Sequence, residues 1–383
     1  MTLLLYISIF YSAILTIIIT GLCKIGNYKS VFANVSDATQ KDEISTISVI
    51  IACKNEENNI KQLIHALEKQ TLKKDLYEVI IADDGSTDQT ANIVKSMIEN
   101  TKINIKYHLV NPSIHPYIVG KKRALTQAID ISKGQILAFT DADCIPCKDW
   151  LLDISFAFKY CDFYTGYSPL ISQQSGEVRV IKHIINHLKN LERASIFAVS
   201  AGTTGVNIPA TCTARNMAYT KELWDVVEGF KGIGHLLSGD DDLMLHKLNI
   251  FINKPFFSFN PDAIVPSIDN HEARKQISQE TRRASKFIYY PLYIKLFVLL
   301  IAMFYGLMTY QIFLSFFNLS YQYDLLIAIV CKLILEFMLL FIFLKRFGKL
   351  NYLKTFLIAE LLYIPYFLIF GIKGTFGKFK WKS

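Results

Sequence analysis

The sequence is short of charge. Only 19% of its 383 residues are Asp, Glu, Lys or Arg, while 51% are apolar; a soluble domain usually has about a quarter charged. The low-complexity bias of disorder, collagen or coiled coil is missing, and 13% of residues are aromatic. There is no G-x-x-x-x-G-K-[ST] loop and no G-x-G-x-x-G, so the common phosphate-cradling signatures are excluded. Cysteines are few and scattered: Cys23, Cys53, Cys144, Cys147, Cys161, Cys212 and Cys331. Such a set reads as free thiols, and Cys144-x-x-Cys147 lacks the second pair that zinc would need. His183 and His187 stand four apart with no third ligand, so they read as surface helix residues.

The apolar surplus lies at the ends. Leu3 to Leu22 is an uncharged run, closed by Lys24. Leu292 to Phe317 carries only Lys295, Leu325 to Leu344 only Lys332 and Glu336, and Phe356 to Ile372 only Glu360. A helix needs roughly 20 apolar residues to cross the hydrocarbon. One membrane helix is therefore expected at the start and two or three at the end. The first lacks the basic leader and small-x-small cleavage site of a signal peptide, and reads as a retained anchor. Lys332 and Glu336 are one turn apart and read as an ion pair within the helix. A sharper reading adds Glu360 and lines a polar path for an acceptor.

Charge is divided unevenly. From His271 onward there are 15 basic against 5 acidic residues; the first 270 hold 26 against 28. The basic surplus thus belongs to the hydrophobic half, and no nucleic-acid partner is expected. Lys24 and Lys29 follow the first run, and Arg274, Lys275, Arg282, Arg283 and Lys286 precede the second. Basic flanks stay inside, which predicts a multi-pass cell-membrane protein with its polar middle in the cytoplasm. The last run either crosses, leaving a basic tail outside, or lies at the interface and keeps it inside.

The middle alternates strand and helix. Ile47 to Cys53 and Tyr77 to Ala82 are short apolar runs of the doubly buried kind. Ile60, Leu63, Ile64 and Leu67 mark one helical face between them, with Asn55 as a candidate cap. A helix from about Gln89 to Glu99, a strand at Asn104 to Val110, a helix around Ala124 to Ile129 and a strand at Gln135 to Thr140 continue the rhythm. This predicts an α/β fold with a mainly parallel, Rossmann-like sheet. Val178 to Phe197 reads as an amphipathic helix, on a membrane surface or packed on the sheet.

Ligands bind such sheets beyond the carboxyl ends of the strands, and acidic clusters fall there. Asp83-Asp84-Gly85 ends one strand and offers acceptors to a base N–H or a ribose hydroxyl. Asp141-Ala142-Asp143 ends another; residues i and i+2 point the same way, and two facing carboxylates suit Mg²⁺ or Mn²⁺ shared with a diphosphate. Asp240-Asp241-Asp242 opens a later helix, where crowded carboxylates raise one another's pKa and suit a general base. Gln279-x-x-Arg282 precedes the second hydrophobic run, and Arg282 suits bidentate pairing with a diphosphate.

In this order, these motifs resemble membrane-bound family 2 glycosyltransferases, in the branch near the poly-N-acetylglucosamine, hyaluronan and cellulose synthases. The resemblance covers about Ile47 to Phe287, and Ser48 to Glu57 is similar to the family's opening strand and turn. It implies a GT-A-like domain flanked by transmembrane helices. Asp84, beside Asp83, would contact the base of a nucleotide sugar, usually uracil. Asp141 and Asp143 would hold metal and diphosphate, and Gln279 and Arg282 would lie on the nucleotide-sugar side. Thr213 to Tyr219, with Arg215 and Asn216, looks like the acceptor-side segment. Asp241 would be the base, with Asp240 or Asp242 as the choice if the alignment shifts by one. Arg283 stands where the family has Trp, which weakens the case for a processive polymerase.

The expected organisation is an N-terminal anchor (1–24), a cytoplasmic glycosyltransferase domain (45–287), a C-terminal membrane region (290–373) and a basic tail (374–383). The expected activity is inverting, metal-dependent transfer from a nucleotide-diphosphate sugar, UDP-linked by the resemblance, to a membrane lipid or glycan. The bilayer and polysaccharide assembly proteins are the expected surroundings. The other readings are a catalytically silent scaffold and a transporter with a nucleotide-sugar sensor; the intact acidic clusters and the few helices disfavour them.

Overall fold

A computed structural model of the chain describes residues 2–26, 45–171, 180–269, 286–317 and 322–363. The chain falls into two units. One comprises Ile25–Ser175 and Asn207–Asn270; the other comprises Met1–Lys24, Gly176–Val206 and His271–Ser383. Residues 176–206, expected within the 45–287 domain, thus cluster with the hydrophobic helices.

The chain begins with α1 (Leu3–Lys24), part of the helical unit. The sheet unit then opens with β1 (Ile47–Cys53), α2 (Ile60–Glu68), β2 (Tyr77–Asp83), α3 (Thr90–Asn100), β3 (Asn104–Leu109), α4 (Lys121–Asp130), β4 (Ile136–Phe139) and α5 (Trp150–Ala157). Next come β5 (Phe163–Gly166), β6 (Leu170–Ile171) and α6 (Val180–Gly205), the last in the helical unit. The sheet unit ends with β7 (Met217–Thr220), α7 (Lys221–Val226), α8 (Asp242–Leu248), β8 (Pro255–Ser258) and β9 (Ser267–Ile268).

The main sheet runs β3-β2-β1-β4-β7-β5-β8. Strands β3, β2, β1 and β4 are parallel, in register Val49↔Val79 and Val49↔Ala138 between β1 and its neighbours. Strand β7 is antiparallel to both β4 and β5. The predicted strands are found within a residue or two. They are apolar on both faces because helices cover both: Leu63, Ile64 and Leu67 of α2 pack on one side, Ala124, Leu125 and Ala128 of α4 on the other. At the amino ends, buried Glu78 holds the register. It accepts from Ser48 Oγ at 2.7 Å and Lys133 N at 2.6 Å, and pairs with Lys106 at 2.6 Å. Gly134 is required there, since a Cβ would lie 2.4 Å from Ser48 N.

Asn55 does not cap α2; that place falls to Asn59. Asn55 adopts φ 55°, its amide N–H donates to Ser86 Oγ at 2.9 Å, and its side-chain oxygen accepts from Thr87 N at 2.8 Å. It ties the loop after β1 to the loop after β2, a task that an Asx residue performs as readily as capping.

In the helical unit, α1 and α6 are joined by α9 (Leu292–Ser315) and α10 (Gln322–Arg346), with further helix at 356–363. Among the described residues three helices, α1, α9 and α10, are long and apolar enough to cross a membrane. Their 22, 24 and 25 residues span about 33–38 Å at ~1.5 Å per residue, matching the hydrocarbon core. The rest of the fourth expected span lies outside the described residues. Helices α1 and α6 meet through glycine: a Cβ on Gly205 would lie 2.0 Å from Gly21 O, and one on Gly202 would lie 2.4 Å from Ile18 O. Small residues allow such backbone approach. Within the same unit Lys332 Nζ lies 3.0 Å from Glu336 and also pairs with Glu360, while Tyr11 donates to Glu336.

Candidate active site

The carboxyl ends of β1, β2 and β4 open on one edge of the sheet, as the βαβ rhythm requires. Asp83 closes β2 but faces inward. It is 1% exposed, accepts from Ser86 N at 2.8 Å through Oδ1 and from the Tyr107 hydroxyl at 2.8 Å through Oδ2. Both oxygens thus shape the turn that presents Asp84. The Asp84 carboxylate meets the Arg123 guanidinium at 3.5 Å.

Beyond β4, Asp141 and Asp143 flank buried Ala142. Lys121 Nζ donates to Asp141 Oδ1 at 2.7 Å and stands 2.6 Å from Asp240 Oδ2. Arg215 Nε lies 3.5 Å from Asp141 Oδ2. One ammonium therefore bridges the Asp-x-Asp segment and the acidic triplet, which lie about a hundred residues apart in sequence. Burial opposes the charge on Lys121, but Asp141 and Asp240 outweigh it and hold the ammonium pKa well above the ordinary lysine value. Burial likewise works against Arg215, and Asp143 and Asp141 overcome it, raising its pKa. For Asp141, burial pushes up, yet Lys121 and Arg215 prevail and hold its carboxyl below the usual range.

Asp241 stands at the start of α8 and accepts from Asp242 N at 2.8 Å; Asp242 Oδ1 accepts from Leu243 N at 3.0 Å. Asn216 sits deep beneath the site. Its oxygen accepts from Trp150 Nε1 at 2.9 Å, its NH2 donates to Tyr167 O at 3.2 Å, and it is fully buried. Arg215, its neighbour, points instead to the Asp-x-Asp carboxylates. Gln279 and Arg282 lie outside the described residues.

Lys121 and Arg123 were not anticipated from the sequence. Three basic residues in the first turn of a helix oppose its dipole. They also follow a strand–loop step, which puts that turn at the same edge as the acidic strand ends. Together these two facts point to that turn as a partner of the acidic clusters, a role that Lys121 and Arg123 fill.

The residues fit a hard divalent ion. Asp240 Oδ2 and Arg215 Nε are buried at ion-pair distance but without hydrogen-bond geometry, so these two atoms keep bonding capacity that their ion pairs do not fill. Among the described residues, no group of three or more His, Cys, Asp or Glu converges to form a complete cage. One or two carboxylates is what Mg²⁺ takes when substrate phosphates and water complete its shell.

A mainly parallel sheet with an antiparallel strand inserted beside β4, and acidic residues at its carboxyl edge, defines a GT-A-like α/β class. The computed structure resembles the mannosyltransferase PcManGT from Pyrobaculum calidifontis, solved with GDP-Man and Mn²⁺, with a TM-score of 0.52, 16% identity and coverage of 98% of this chain and 100% of that one. At that identity the likeness speaks for the fold.

Residues 48–221 match Glycosyl transferase family 2, and the chain carries a domain of that family. Glycosyltransferase AglE of Haloferax volcanii is 36% identical over 105 residues, 27% of this chain and 33% of that protein. Beta-monoglucosyldiacylglycerol synthase of a Nostoc species is 31% identical over 146 residues, 38% and 27% of the two chains. The match spans a third or less of the length of these curated relatives.

Proposed function

We propose that the chain transfers a sugar, with inversion, from a nucleotide-diphosphate sugar to a hydroxyl of a membrane-associated lipid or glycan. The carrying observation is the convergence of Asp84, Asp141 and Asp240 on the basic first turn of α4, through Arg123 and Lys121. Strand-end carboxylates suit base and ribose recognition at Asp84. Asp141 and Asp143 would hold Mg²⁺ or Mn²⁺, which supplies charge to the diphosphate leaving group. Lys121 and Arg215 place cationic charge against the same departing phosphates. In the displacement the acceptor oxygen forms a bond to C1, the bond from C1 to the phosphate oxygen breaks with its electron pair leaving on the nucleoside diphosphate, and Asp241 takes the acceptor proton. The transition state is oxocarbenium-like, as in glycoside hydrolysis. By the resemblance, Gln279 and Arg282 would belong to the nucleotide-sugar side, Arg282 pairing with the diphosphate.

Three long apolar helices support a membrane-embedded enzyme, and the basic flanks of the hydrophobic runs support a cytoplasmic catalytic unit. A membrane setting brings lipid-linked acceptors within reach. The Nostoc relative is named for a glucosyl lipid product, which favours a lipid acceptor. Polysaccharide assembly partners would then draw on its product.

The test is nucleoside diphosphate release by the full chain in lipid nanodiscs, offered UDP- and GDP-sugars with Mn²⁺ and an acceptor-rich membrane extract. Release from one donor, abolished by EDTA and by Asp241→Asn, is the expected result. Donor binding without release from any sugar would overturn the proposal in favour of a silent scaffold.

A further inference from the structure

Lys122 is a lysine buried to 2% exposure in the first turn of α4. Its ammonium has three N–H donors, and three main-chain carbonyls receive them: Ile233 O at 2.7 Å, Leu236 O at 3.2 Å and Ser238 O at 2.7 Å. The ammonium also stands 5.7 Å from the centre of the Phe230 ring. All three carbonyls belong to one loop, which ends at Gly239 immediately before the acidic triplet. Gly229, Gly232 and Gly239 adopt positive φ there, at 52°, 85° and 87°. A loop with this glycine content has a large conformational entropy to lose, and short main-chain bonds such as Ile233 N to Phe230 O order it only locally. The Val119 N–H donates to Gly234 O at 3.0 Å and adds a further tie from the same turn.

We propose that Lys122 is a positioning residue, which fixes the 233–239 loop and thereby sets where Asp240, Asp241 and Asp242 stand relative to Asp141. The inference rests on the transfer reaction proposed above. The division of labour follows from adjacency. Lys121 takes the side chain of Asp240, and Lys122 takes the backbone that leads to it. One helical turn thus controls both ends of the short segment that delivers the base. Removing a lysine from water is costly unless its donors are met, and a residue serving only as filler would be met more cheaply by Leu or Met.

The decisive variant is Lys122→Met, which keeps the length and the packing on Phe230 and removes the donors. Hydrogen exchange on the full chain in nanodiscs should quicken at residues 235–241 by about tenfold or more, with β1, β2 and β4 unchanged. The turnover number should fall on the order of 10²-fold, the loss expected for a misplaced catalytic group, with the donor KM within about twofold of wild type. Unchanged exchange in the loop, or a loss carried by KM alone, would overturn the proposal. If Lys122→Met unfolds the sheet, Lys122→Arg is the second variant: it keeps the charge but replaces a compact ammonium with a longer, planar guanidinium of fixed donor geometry. Its turnover loss should then track the gain in loop exchange, and a turnover loss without that gain would overturn the assignment. If wild type itself transfers no sugar, the proposed function fails, while the exchange measurement still decides whether Lys122 fixes the loop.

Discussion

Lys121 and Lys332 each share two carboxylates, in different units of the chain. The Lys121 side chain is 16% exposed, at an edge where strand ends open and its partners Asp141 and Asp240 keep a share of solvent. The Lys332 side chain is 3% exposed, among Glu336, Glu360 and the ring of Tyr305 in helices that read as membrane spans. The first pairing lies where an incoming cation or phosphate can exchange partners with it. The second is closed, and it holds helix to helix. The same chemistry is therefore open to exchange in one unit and closed in the other.

The sharpest break in that comparison is Lys332→Met. It would leave two carboxylates in an apolar bundle without their cation, at a cost of about 3–5 kcal/mol. Thermal unfolding in detergent should show the loss in the helical unit, with nucleotide-sugar binding retained. Lys121→Met should behave in the opposite way. Stability should fall less than for Lys332→Met, because Arg215 still stands beside Asp141 and the partners keep a share of solvent, while Mn²⁺ binding without nucleotide tightens by about tenfold, or ~1.4 kcal/mol, since no ammonium competes for Asp141. Calorimetric titration of the full chain checks this, and weaker Mn²⁺ binding would contradict it.

Asp153 gives a buried charge with no lysine. Burial pushes its carboxyl up to about 6 against the opposing hydrogen bonds from Ser258, Tyr164 and Asn260. The folded state then keeps the proton longer than the unfolded state, whose value is 3.8. Its contribution to stability is greatest below that value, falls as pH rises from about 4 to about 6, and is flat above. The span is roughly 3 kcal/mol at ~1.4 kcal/mol per unit. Unfolding midpoints of wild type and Asp153→Asn across this range should diverge with that sign. The smallest effect is expected at Thr220, whose hydroxyl accepts from Leu223 N at 3.2 Å and caps α7. Thr220→Ala should cost about 1 kcal/mol, read from the same unfolding curves, with no change in donor binding.

The parallel half of the sheet was legible in the sequence because strands buried on both faces are uniformly apolar and short. Asp84 and Asp141 were legible as candidates because carboxylates at strand ends are conspicuous, and Asp240 because three adjacent carboxylates opening a helix are. What escaped was long-range. Nothing local distinguishes Lys122 from a solvated lysine, since its partners are carbonyls a hundred residues on. The inward turn of Asp83 depends on the Tyr107 hydroxyl from the neighbouring strand. Asn216 beside Arg215 looked like one segment with one role, but the chain turns there, with Asn216 N donating to Thr213 O at 3.2 Å, and the two side chains part. Asn216 is tied into the core and Arg215 is aimed at the acidic edge. The amphipathic pattern of α6 gave the helix, but its packing depends on the glycines that admit α1.

That glycine crossing carries a consequence for the order of assembly during synthesis. Helix α1 leaves the ribosome before its partners: the α6 glycines follow about 180 residues on, and Arg346, which donates to Leu22 O, after a separation of 324 residues. The described strands of the sheet unit are all made once Ile268 is. At ~5–20 residues per second, the helical unit therefore closes several seconds after the sheet unit has the means to fold. Throughout that interval α1 already has α6 beside it, and the face it presents to α10 stays open until the residues up to Arg346 are made.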